Sequence, residues 1–114
     1  MTYAEGSLQV TGRGTDLRRV DPATGAVLAT VDVGAGAIDV RAAAHSIWVA
    51  VPTDADDWQG NPFLDRLLRV DPTTDAVTET IRPTGRIVIN GTVSTGDALW
   101  IADTAGGRLY RVGR

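Results

Sequence analysis

The chain has 114 residues, enough for one small domain, and 43% of them are hydrophobic, which excludes wholesale disorder and permits a packed core. The formal net charge is -3, so no basic surface is expected to hold nucleic acid or an anionic membrane. Cysteine is absent, which removes disulfides, thiolate metal sites and thiol nucleophiles, and neither a secretory leader nor an apolar run of membrane-spanning length is legible.

Taken in chain order, Ser7-Leu8-Gln9-Val10-Thr11 is the first strand signal; Thr2-Tyr3-Ala4 adds another only if it finds a partner. Leu17-Arg18-Arg19-Val20 follows. It runs into Asp21-Pro22-Ala23-Thr24-Gly25, where Pro presets φ, Asp can accept from the backbone two residues on, and Gly can take positive φ. Val27, Ala29, Val31 and Val33 alternate with Leu28, Thr30 and Asp32, the period of a strand. After Gly34-Ala35-Gly36 the middle unit predicts strands A (38–43), B (46–51), C (65–71) and D (76–82). Thr84-Gly85 marks the next connection; Ala98-Leu99-Trp100-Ile101-Ala102 and Leu109-Tyr110-Arg111-Val112 are the last strand signals. Val, Ile, Thr and Trp dominate these runs, and no stretch has a capped 3.6 period.

The strands recur. Residues 17–31 align without a gap on 67–81, and nine of the fifteen positions are identical, where average residue usage gives about one. Ser46-Ile47-Trp48-Val49-Ala50 returns 52 residues later as Ala98-Leu99-Trp100-Ile101-Ala102. In the first copy Gln9 stands in the Trp place. Four short strands repeated at about fifty residues predict an all-β fold, a partial β-propeller of about two and a half four-stranded antiparallel blades. The blades are expected at about 1–33 (partial, strands B to D), 34–82 (complete) and 83–114 (partial, strands A to C). A seven-stranded sandwich has no reason to repeat its sequence at this period. A blade buries both faces only against neighbours, so further blades must come from a longer chain, the favoured source, or from other copies of this one.

The string 19–34, Arg-Val-Asp-Pro-Ala-Thr-Gly-Ala-Val-Leu-Ala-Thr-Val-Asp-Val-Gly, followed by Ser-Ile-Trp-Val-Ala at 46–50, resembles the YVTN-type repeats and those of the streptogramin (virginiamycin B) lyase family. The resemblance covers nearly the whole chain apart from 52–64. It implies that strand A lines a central channel, that D lies at the rim, and that the D–A and B–C loops share the face that usually binds. Such repeats serve many roles, so the motif speaks for the blade more than for function.

Repetition argues for structure. Trp48, Trp100, Val20, Val70 and Val112 are therefore expected as repeated core positions, and Arg19, Arg69 and Arg111 as bonding a carboxylate or backbone within their own blade. The non-repeating part is the better place for a site. Eighteen residues separate Trp48 from Leu67 and only eight separate Trp100 from Leu109, so Pro52 to Leu64 is expected as an enlarged B–C loop. Asp54, Asp56, Asp57 and Trp58 are the candidate ligand-binding residues there, with Trp58 and Phe63 as anchors. The three Asp offer oxygen ligands to Ca²⁺ or Mg²⁺, but the spacing is not that of an EF-hand. His45, the single His, is placed in the A–B turn at the opposite end, and Asn90-Gly91-Thr92 in a turn or bend leading to a strand. The reading is a non-catalytic module without a cofactor, holding a small molecule or a protein on the channel-side loops. The alternative is a lyase-like enzyme that opens cyclic depsipeptides with a metal and a His/Glu pair; no catalytic residue of that family transfers to this chain. A quinone-cofactor propeller shares an Asp-x-x-Thr-Gly-like turn but also a Gly-Trp docking pattern missing here.

Overall fold

In a computed structural model, residues 1–11, 15–34, 37, 39–56, 62–103 and 106–113 are described. They form eleven strands: β1 (Thr2–Ala4), β2 (Ser7–Thr11), β3 (Asp16–Val20), β4 (Val27–Asp32), β5 (Asp39–Ala43), β6 (Ser46–Asp56), β7 (Pro62–Asp71), β8 (Ala76–Ile81), β9 (Ile89–Ser94), β10 (Ala98–Asp103) and β11 (Arg108–Gly113). There is no helix among them, and thus none long and apolar enough to cross a membrane. The strands make three antiparallel meanders, β1-β2-β3-β4, β5-β6-β7-β8 and β9-β10-β11, one for each copy of the repeat. Thr2-Tyr3-Ala4 does find a partner, pairing with Gln9, Leu8 and Ser7, so the first sheet has four strands rather than three.

The turns follow from their residues. Asp21 Oδ1 accepts from Ala23 N at 2.9 Å, and Asp71 Oδ1 from Thr73 N at 2.8 Å. Gly25 takes φ 74°, and Asp75, its counterpart, takes 58°; Asp tolerates this left-handed region better than most side chains. Both turns close with the same bond, Gly25 N to Asp21 O and Asp75 N to Asp71 O, each 2.8 Å. Asn90-Gly91 is not a turn. It lies inside β9, where the pairing with β10 shifts between Ala102 and Asp103, so the extra residue is absorbed as a bulge.

The three sheets stack face to face in chain order. Ile47, Val49, Val51, Leu68 and Val70 turn toward the first sheet and meet Leu17, with Ala4 and Val31 beside it. Trp48, Ala50, Leu64 and Leu67 turn the other way, toward Ile89, Leu99 and Ile101 of the third sheet. This is strand alternation used twice. The closest backbone approaches between sheets all involve β5 or β9, running β1 to β5 and β5 to β9; β4, β8 and β11 reach the cores only through side chains such as Val31, Ile81 and Val112. The sheets therefore converge at their first strands and splay toward their last.

Trp48 is 2% exposed. Its Nε1–H donates to Ala43 O at 3.0 Å, and the Arg69 guanidinium lies 5.1 Å from its ring centre. Val70 is fully buried. Their counterparts differ: Trp100, Val20 and Val112 are only half-buried; Trp100 and Val20 sit on the outer faces of the end sheets, where no other described sheet packs on them. Arg69 does bond within its own sheet, to Ser46 Oγ at 2.7 Å and near Glu79 at 3.7 Å. Arg19 does not. It donates from Nε and Nη2 to both oxygens of Asp75 in the next sheet, at 2.9 and 3.0 Å, a two-pronged clasp between sheets.

Candidate functional site

The segment 52–64 is not simply a loop. β6 continues to Asp56 and β7 begins at Pro62, so much of the non-repeating sequence lengthens a hairpin into an arm beyond the sheet. Asp57 and Trp58 lie outside the described residues, as do the side chains of Asp54 and Asp56. At the base of the arm Phe63 is half-buried and bridges Val88. Leu64 N donates to Ile87 O at 2.8 Å. The arm is thereby tied to the connection between β8 and β9.

That tie forms one wall of a cleft of about 540 Å³ between the second and third sheets, within the usual range for a small-molecule site. It exists because the sheets splay: β8 and β11 stand apart where β5 and β9 touch. Leu64, Leu67, Ile81, Ile101, Tyr110 and Val112 give it apolar walls, and Arg82, Arg86 and Arg108 also line it. A second hollow of about 380 Å³ adjoins it around Phe63, sharing Leu64, Arg82, Pro83, Gly85 and Arg86. The cleft is edged by the β8–β9 connection and the β10–β11 hairpin, at the same end as the arm.

The connection is held from below. Asp103 is buried, and its Oδ1 accepts from Val88 N at 3.0 Å. A Cβ at Gly106 would stand 2.7 Å from Asp103 Oδ2, so a side chain there has to displace that carboxylate. The cations differ in freedom. Arg82 donates to Asp65 Oδ2 at 3.2 Å, whereas Arg86 lies over the Phe63 ring, 5.0 Å from its centre. Neither Arg86 nor Arg108 has a salt bridge among the described residues. The Asp65 carboxyl is held below the ordinary aspartate value, first by the hydrogen bond from Arg66 and then by the Arg82 guanidinium, which outweigh an opposing desolvation.

Val112, expected as a repeated core position, lines the cleft, whereas Arg82 and Arg86 are marked in the sequence only by departure from the repeat, standing where the first copy has Asp32 and Gly36. Tyr110 is half-buried on the wall, and only the stacking of a neighbouring sheet makes that wall.

His45 lies in the β5–β6 turn at the far end, as its place in the strand order requires. Its Nδ1 is 4.0 Å from Glu5 Oε1 of the first sheet, and its side chain is 94% exposed. A shallow hollow of about 160 Å³ lies between these turns. Such an exposed pair has no desolvated seat for a substrate, and it faces away from the cleft. Among the described residues no group of three His, Cys, Asp or Glu comes together to hold a metal. None of the family models compared with the chain matches it, and neither does any curated protein.

Proposed function

We propose that the chain is part of a β-propeller and serves as a non-catalytic binding module, whose ligand is a small molecule with an apolar body and an anionic group. The propeller reading is supported by the way the sheets converge at β1, β5 and β9 and splay toward β4, β8 and β11, the arrangement of blades around an axis. In such an arrangement the cleft falls on the face of the D–A and B–C connections. The observation that carries the binding reading is the composition of that cleft, aliphatic side chains and Tyr110 lining it together with Arg82, Arg86 and Arg108. Apolar walls give affinity by area, and guanidinium forks select a carboxylate or phosphate group.

The test is calorimetry with octanoate and with octanol, which share a chain and differ in charge. Octanoate is expected to bind at one site, at least about tenfold tighter than octanol. Arg86→Ala and Arg108→Ala each remove most of that preference, while affinity for octanol stays the same. Equal affinity for the two probes, or octanoate binding untouched in an Arg86→Ala/Arg108→Ala double variant, refutes the assignment.

A further inference from the structure

One structural position meets two different fates in this chain. Leu17, Leu67 and Leu109 are equivalent in the repeat; Leu17 is 1% exposed, Leu67 is 2% exposed and Leu109 is 65% exposed. The first two are covered by the sheet that follows. Among the described residues no sheet covers Leu109, which shares its open face with Trp100 and with Val93, the residue that pairs with Trp100 in the ladder. The opposite end of the stack shows the complementary vacancy. Leu8 and Val10 of β2 correspond to Ile47 and Val49 of β6 and to Leu99 and Ile101 of β10, which are buried against the preceding sheet. Leu8 and Val10 remain half-buried, and Tyr3, across from Leu8 in the ladder, is 62% exposed.

The two open faces are thus the two halves of an interface that the chain already makes twice. The first sheet has all four strands, so it presents a full face of the kind that sheets two and three turn toward their predecessors. We infer that a second copy of this chain supplies the missing neighbour: the first sheet of each copy stacks on the third sheet of the other, with Tyr3, Leu8 and Val10 covering Trp100 and Leu109. The number of copies follows from the propeller reading, on which this inference rests. Propellers typically hold about four to eight blades; two copies of the three described sheets fall within that range, as a ring of six. Exposed apolar faces of this kind are the usual mark of an association surface, and here their partner is specified by the repeat itself. The joint is heterologous, unlike faces meeting, and two such joints related by a twofold axis close the ring.

Sedimentation velocity on the full chain is expected to give a particle of twice the 12.0 kDa monomer. Leu109→Glu and Tyr3→Glu, each at an exposed site, keep the strand signature in circular dichroism. Each places an unpaired carboxylate in both joints and weakens association by at least about a hundredfold. An equimolar mixture of the two variants recovers a dimer, because one joint between an intact third sheet and an intact first sheet remains. A chain that stays monomeric at every concentration overturns the second copy and leaves the propeller reading standing. A dimer indifferent to Tyr3→Glu overturns the head-to-tail joint, since like faces or strand edges would then be meeting. Solution scattering separates the last case: a dimer with an elongated profile and no central channel takes the propeller reading down as well.

Discussion

Trp48 and Trp100 offer an internal comparison, since the same residue sits at the same place in two copies of one repeat. A buried Trp removes roughly 150–250 Å² from water, worth about 4–6 kcal/mol at ~25 cal/mol per Å², and Trp→Ala in cores costs about 3–5 kcal/mol. Trp48 is 2% exposed between the second and third sheets, and it also satisfies Ala43 O. Trp48→Ala is therefore expected at the upper end, about 4–5 kcal/mol. Trp100 lies on an outer face and is half-buried, chiefly by its own sheet. Its ring is 5.9 Å from the Arg111 guanidinium, an exposed contact of about 0.5–1 kcal/mol. With half the area at stake, Trp100→Ala is expected to cost about 2–3 kcal/mol in the monomer. Urea titration followed by far-ultraviolet circular dichroism, at a dilution where the chain is monomeric, measures both. With a slope of about 1–3 kcal/mol per molar, the two midpoints should differ by about 1 M. Since a domain this size commands only about 5–15 kcal/mol, Trp48→Phe serves as the milder variant, expected to cost about 1–3 kcal/mol because it keeps a ring but loses indole volume and the hydrogen bond to Ala43 O. Equal costs for the two alanine variants, within about 0.5 kcal/mol, would refute the stacking order on which the fold description depends.

Three further outcomes follow from single sites. Asp103→Ala leaves the buried Val88 N–H without its acceptor and is expected to cost about 1–3 kcal/mol, with faster hydrogen exchange at that amide. His45→Gly is expected to stabilise. His45 holds φ 57°, which costs a non-glycine residue about 1–2 kcal/mol, against about 0.4–1 kcal/mol of added unfolded-state entropy; a net gain of about 0.5–1 kcal/mol raises Tm by about 2–5 °C, and a lowered Tm contradicts it. Asp65 has a depressed folded-state value relative to 3.8, so it favours folding above the unfolded value and that contribution disappears as pH falls through the folded one. The stability difference between the native chain and Asp65→Asn is expected to be constant from neutrality to about pH 5 and to shrink below about pH 4; a difference that grows on acidification has the wrong sign.

The repeat carried the strand content on its face. Alternation in 27–33, the Asp-Pro turns at 21 and 71, and Gly25 matched by Asp75 are local rules, each set by one residue's backbone preferences, and the strands and turns lie where those rules put them. Thr2-Tyr3-Ala4 was beyond such rules, because three residues make a strand only when a neighbour such as β2 pairs with them. The enlarged segment after Trp48 was visible as an insertion, but its conversion into an extended hairpin depends on long-range ties, Leu64 to Ile87 and Phe63 to Val88.

What the amino-acid order determined by itself was which side of each strand is apolar, since side chains alternate strictly along an extended backbone. Only the tertiary structure decided which of those sides is covered. Trp48 and Trp100 read identically in the sequence, as do Leu67 and Leu109, and they part ways because burial belongs to the neighbouring sheet and not to the residue. The cleft has the same origin. Arg82, Arg86, Arg108 and Tyr110 are scattered along the chain, and they share one wedge only because sheets joined at one edge must open at the other.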